Sequence, residues 1–189
     1  MRAYFVLQQF LTTRYLASIR HIPESDMDCG SLTRWLKDVV SGETNISFYT
    51  LPVSWMICVV PRLFAIITYA TSTGKPVEFG HPRNLRQLAG SDPALSSRTR
   101  GRIIRAEAAA QDTVESAPYF AVAMLAGNQA GLSSSLLNAL SVAYLATRIA
   151  YIDAYIYSET VIVASLRAAL FSIGHMIIWS VFILVGLSV

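Results

Sequence analysis

Charge is scarce in this chain. Asp, Glu, Lys and Arg make up 14% of its 189 residues, 53% are hydrophobic, and the mean hydropathy is +0.45. Soluble domains carry roughly a quarter charged residues, so this composition excludes an ordinary soluble domain and indicates a membrane protein. Cysteine is also rare: Cys29 lies in a polar segment and Cys58 in an apolar run. Two such residues make neither a disulfide framework nor a metal-binding pattern. No stretch alternates basic and aromatic residues on a polar surface, so the net charge of +3 and the pI near 9.0 do not indicate a nucleic-acid partner. Internal repeats and low-complexity tracts are absent as well. Acidic residues are missing from residues 2–22, where Arg2, Arg14 and Arg20 mix with Ser, Thr, Gln and apolar side chains. That composition is that of a transit peptide, an interfacial helix or an accessory leader. Ser31 can cap a short amphipathic helix over 32–40 that Gly42 ends, with Arg34, Lys37 and Asp38 solvated. Residues 1–47 are thus expected to be a poorly ordered or accessory extension, and 48–189 the membrane domain.

What is present is a series of long apolar stretches. Residues 48–71 are long enough, at about 1.5 Å per residue, to cross a ~30 Å hydrocarbon layer. Pro52 falls in the first turns, Pro61 is expected to kink the helix, and Arg62 turns inward to a carboxylate on a neighbouring helix or to a ligand. Further spans are expected over 106–126, 135–157 and 161–187. The segment 72–100 reads as a polar loop containing one helical turn at 84–89, with Lys75, Arg83, Arg86, Arg98 and Arg100 against Glu78 and Asp92. The positive-inside rule places it in the cytosol, as a solvated topology signal or as part of an anionic ligand's landing surface. Short connections make the last three spans antiparallel neighbours. The expected fold is therefore all-α, an integral membrane four-helix transmembrane bundle with both ends lumenal.

Two ionic stripes stand out. In RIIRAEAAAQDTVESAPYF, Arg105, Asp112 and Glu115 fall within roughly 80° of one another on a helix whose other faces are small. Small residues let membrane helices approach closely, and ionisable ones face a bundle interior or a cavity. In LATRIAYIDAYIY, Arg148, Tyr151 and Tyr155 share a stripe at the same level. Tyr151, Tyr155 and Tyr157 also fit an interfacial aromatic belt. On the last span, Arg167 reads as a helix-pairing residue and His175 as a packing one.

These two stretches, in this order, resemble the MAPEG family, the membrane-associated proteins of eicosanoid and glutathione metabolism, from about Tyr49 to the end. The resemblance implies a four-helix bundle assembled as a homotrimer, contacting membrane lipid and a small lipophilic molecule. It also implies glutathione as co-substrate, held between subunits near the cytosolic face. Position by position it assigns Arg105, Asp112, Glu115, Arg148, Tyr151 and Tyr155 to glutathione. The activity implied is that of a transferase or peroxidase acting on lipophilic electrophiles, or a non-catalytic lipid-binding or scaffold role. The location implied is the endoplasmic reticulum or the mitochondrial outer membrane. Asp112 stands where the family has asparagine, Ala108 where an arginine is frequent, and the thiol-activating arginine early in the fourth helix has no counterpart, Arg167 being the only arginine there. A like-charge pair at ~4 Å costs about 4 kcal/mol at an effective dielectric near 20, so a glutathione site requires Asp112 to be neutralised, with Arg105, Arg148 or Arg62 the candidate partners.

Overall fold

The computed structural model describes residues 29–75 and 84–188. The readings of residues 2–22 as a leader, and of Arg83 and Glu78 in the loop, lie outside these. Six helices follow in order: α1 (Cys29–Ser41), α2 (Thr50–Thr73), α3 (Leu85–Ser91), α4 (Ser97–Gln129), α5 (Ser134–Ile156) and α6 (Val161–Ser188). The chain divides into two compact units after Asp38. In the first, Arg34 and Lys37 on α1 are exposed, as the amphipathic reading expects.

In the second unit, α2, α4, α5 and α6 pack on one another with α4 touching all three others, and α3 lies against α4. Helices α2, α5 and α6 are long and apolar enough to cross a membrane. Helix α4 is not among them, because its first half is ionic. It begins at Ser97, five residues before Arg102, where the charged lead-in to the span at 106 is expected, its first turn capped by Ser96, whose side chain accepts from the Thr99 amide. The sequence 97–105 offers no breaker except Gly101, which the helix passes through. Its 33 residues reach about 50 Å, well beyond a ~30 Å hydrocarbon layer. At its far end, Gly131 takes φ 72° while Leu132 N–H bonds to Gly127 O at 3.0 Å and Gly131 N–H to Asn128 O at 3.2 Å. This Schellman closure turns the chain into α5 within four residues.

The interior has two apolar levels. One joins Ala65, Tyr69, Leu85, Ile103, Ala106 and Ile152 at the end where α2 stops and α4 starts. The other joins Phe120, Met124, Leu137, Tyr144, Ile178 and Val181 at the opposite end. Along α4 and α5 a polar level separates them, containing buried Thr113, Ser116 and Arg148. Pro61, inside α2, is fully buried, and the helix continues through it.

The segment 39–47, which the composition assigns to the extension, is tied to the bundle by amides. Asn138 accepts from Ile46 N–H at 2.8 Å and donates to Val39 O at 2.9 Å and Thr44 O at 2.7 Å. Asn45 donates to Asn128 at 2.7 Å, and Asn128 donates to Ser47 Oγ at 2.9 Å. Buried amides are costly unless saturated, so these bonds fix the segment across the α4–α5 turn.

Candidate functional site

The six residues of the two ionic stripes occupy three places in the protomer. The first is the α4–α5–α6 interior. The Tyr151 hydroxyl donates to Asp112 Oδ2 at 2.7 Å, and Tyr151 is 2% exposed. Tyr155 meets Tyr151 edge-on at 5.5 Å between ring centroids. The Arg167 guanidinium lies 4.4 Å over the Tyr155 ring, so it pairs α6 to α5 through an aromatic face rather than a carboxylate. Arg148 is 1% exposed and sits among the rings of Tyr144, Tyr151 and Phe171 at 5.0, 5.5 and 5.7 Å. Its Nε and Nη1 are buried and meet no well-aligned acceptor among the described residues. His175 Nδ1 lies 3.4 Å from Arg148 Nη2 but 2.9 Å from Phe171 O. The shorter contact, to a carbonyl, makes Nδ1 a donor, so it gives the guanidinium no acceptor. His175 is thereby a packing residue of α6, as its sequence position suggests.

Three expected partners of Asp112 are therefore elsewhere. Arg148 faces aromatic rings, Arg62 reaches Glu107 at 3.9 Å, and Arg105 points to the α5–α6 turn. A tyrosine hydroxyl takes their role, and this neutral donor supports the carboxylate without cancelling its charge. The reason lies in register: Asp112 and Tyr151 face each other across α4 and α5, whereas Arg148 is one turn further along, behind the Tyr151 ring.

The second place is an open groove of about 610 Å³ between α2 and α4. Glu115 is exposed there and accepts from Gln111 Nε2 at 3.0 Å. Arg62 and Glu107 line it, with Trp55, Val59 and Val114 giving apolar surface. The arginine-to-carboxylate pairing expected for Arg62 is present, with Glu107 as its partner.

The third place is the turn between α5 and α6. Arg105 Nε donates to Ile156 O at 2.9 Å, satisfying a carbonyl of the last turn of α5. Arg98 Nε donates to both Glu159 oxygens at 3.0 and 3.2 Å, while Arg102 and Arg105 approach Oε1 at 3.5 and 3.7 Å. The hydrogen bond from Arg98, reinforced by the other two guanidiniums, holds the Glu159 carboxyl below its ordinary value of 4.5. A depressed carboxylate contributes stability in full above its ordinary pKa and loses it as pH falls through the depressed one. The melting-temperature difference between wild type and Glu159→Gln should accordingly be present at neutral pH and vanish on acidification well below pH 4.5. A difference that persists at the acid end would contradict this assignment.

Sequence reasoning missed Glu159 and Gly174. Glu159 is the lone acid in the turn YSET opposite an arginine-rich helix start, which is a readable signal. Gly174 stands alone within a bulky run of α6, and a Cβ there would lie 2.6 Å from Arg148 Nη2 and 3.1 Å from its Cζ. Any larger residue there would have to displace the guanidinium. Among the described residues no group of His, Cys, Asp and Glu is arranged to hold a metal.

Neither a curated protein nor a solved structure matches the chain. The model of the MAPEG family matches residues 49–187, a stretch that contains α2 to α5, nearly all of α6 and all three places described above. The chain, an all-helical integral membrane protein, belongs to the MAPEG family.

Proposed function

We propose that this protein binds glutathione at the α4–α5–α6 face, as a microsomal-transferase-like or peroxidase-like member acting on lipophilic electrophiles. The observation that carries this reading is Arg148, a buried guanidinium with two donors unmatched among the described residues, packed against the Tyr151 ring whose hydroxyl bonds Asp112. An uncompensated cation at that depth weakens the fold, and such residues in membrane proteins belong to functional sites. A thiol with an ordinary pKa near 8.5 needs an adjacent cation to persist as thiolate. Arg167, half-buried on Tyr155, is the cation within reach of a bound thiol, and Arg148 adds its field from behind Tyr151. The thiolate then forms a C–S bond at the electrophilic carbon, while the leaving group departs with the electron pair of the bond that breaks.

In this reading α4 is the fourth span, and three copies assemble so that a neighbour covers the exposed Glu115 and Gln111, which lipid would not tolerate. The arginine-rich end faces the cytosol, and the endoplasmic reticulum is the expected membrane. A second reading, non-catalytic binding of a small lipophilic molecule, is favoured by the α2–α4 groove, whose Trp55, Val59 and Val114 surface suits an apolar ligand with a polar head.

The test is equilibrium binding of glutathione to the detergent-solubilised protein, followed by conjugation of a lipophilic electrophile. Saturable binding with turnover supports the enzyme. Binding without turnover supports the second reading, and no binding at millimolar glutathione removes the first.

A further inference from the structure

The first nine residues of α4 carry four arginines, Arg98, Arg100, Arg102 and Arg105, and no acid. Positive charge at a helix start opposes the macrodipole, so this arrangement is unfavourable unless an anion compensates it. Arg100 is used within the α3–α4 turn, where Nε donates to Ala89 O at 3.1 Å and Nη2 to Asp92 O at 2.9 Å. The other three lie at i, i+4 and i+7 on one face and converge on a single carboxylate, Glu159. Among the described residues, three charges against one leave the cluster with a residual of two positive charges. The hydrogen-bond count is equally unbalanced. Glu159 takes its two short bonds from Arg98, leaving Arg102 Nε and Arg105 Nη2 buried without a hydrogen-bond acceptor among the described residues.

The surroundings identify the anion. Arg102 also stacks 5.0 Å over the ring of Tyr157, a half-exposed aromatic of the interfacial kind. Directly beyond the turn, α6 opens with Val161 and Ile162, 83% and 82% exposed, the start of an apolar face that runs into the membrane. A cation cluster, an interfacial tyrosine and an exposed aliphatic rail therefore follow one another along the expected direction of a lipid molecule. Along α4 the cluster lies about 10–20 Å from Asp112, two to four turns nearer the helix start, and of its members only Arg105 is among the residues that the family resemblance assigns to glutathione.

We propose that the cluster of Arg98, Arg102 and Arg105 is a binding site for the phosphate of an anionic phospholipid, with Glu159 as the built-in anion that shares the site. Guanidinium forks match phosphate oxygens in pairs, so Arg98 and Arg102 grip the headgroup, while Arg105 keeps its bond to Ile156 O and supplies charge. The acyl chains run along Val161 and Ile162. The site rests on the chain's membrane character and is independent of whether glutathione binds.

Native mass spectrometry of the full chain in detergent tests this, with phosphatidylserine and phosphatidylcholine of identical acyl chains as probes. Wild type should retain phosphatidylserine over phosphatidylcholine by about tenfold or more. The Arg98→Gln and Arg102→Gln double variant should lose that preference. Glu159→Gln, which removes the competing anion, should strengthen it, a change of sign that misfolding does not produce and that decides the matter if the double variant does not fold. Equal retention of the two lipids by wild type would overturn the proposal, as would an unchanged preference in the double variant or a weakened one in Glu159→Gln. Inorganic phosphate is the control. If it removes the bound lipid completely and stabilises the lipid-free protein equally, the site takes free phosphate and the lipid assignment fails.

Discussion

Arg148→Met is expected to stabilise the folded bundle by about 1–4 kcal/mol and to abolish any stabilisation by glutathione. Methionine keeps the length and flexibility of the side chain among the Tyr144, Tyr151 and Phe171 rings and removes a charge whose Nε and Nη1 meet no well-aligned acceptor among the described residues. Replacing a well-paired buried ion leaves its partner stranded, but no carboxylate is stranded here. Gly174 supplies the companion test, since the guanidinium fills the space of its missing Cβ. Gly174→Ala should cost about 1–3 kcal/mol in wild type, because overpacking moves a wedged side chain, and much less in the Arg148→Met background. Unfolding in a denaturing detergent, read for both single variants and the double, gives the coupling directly. A loss of stability in Arg148→Met of about 3–5 kcal/mol would instead mean that the cation has a partner in the assembled protein.

Asp112→Asn should raise glutathione affinity by about thirtyfold while costing only about 1 kcal/mol of stability. The stability cost is small because the partner of Asp112 is the neutral hydroxyl of Tyr151, which can still donate to the amide oxygen of asparagine. Had an arginine been the partner, losing half of an ion pair would cost several times more. The affinity gain follows from removing an uncancelled charge, which at ~8 Å and an effective dielectric near 20 repels an anionic ligand by about 2 kcal/mol. Thermal melting of both variants with and without glutathione measures the two effects together. A variant that loses several degrees and ignores glutathione would assign Asp112 to structure alone.

The long helices were legible because membrane spans announce themselves by length and apolarity, and α5 and α6 begin and end within one or two residues of the apolar boundaries. The first five residues of α4 were not, because Arg98 and Arg100 read as loop by charge, while their helicity depends on the Ser96 cap and on contacts with α3 and the α5–α6 turn. The pairing of Arg62 with a carboxylate on another helix followed from the cost of a lone charge at depth. The partner of Asp112 did not follow. Periodicity places a residue on a face but does not say which of several donors on the facing helix matches its height, and Tyr151 competes there with Arg148 only one turn away. The segment 39–47 was hidden for a different reason: its order comes from Asn128 and Asn138, and single amides far along the chain leave no local pattern.

The anchoring of that segment also has a consequence for the order of events during synthesis. Its hydrogen bonds join residues separated by 81 to 99 positions, since Asn45 and Ser47 wait for Asn128, and Val39, Thr44 and Ile46 wait for Asn138. At ~5–20 residues per second, roughly 5–20 s pass between the emergence of the segment from the ribosome and that of its partners. During that interval α2 inserts with its leading edge untethered. Docking of 39–47 therefore waits for α4 and the beginning of α5, and it can precede the arrival of α6, so it belongs to the middle of assembly rather than to its first step.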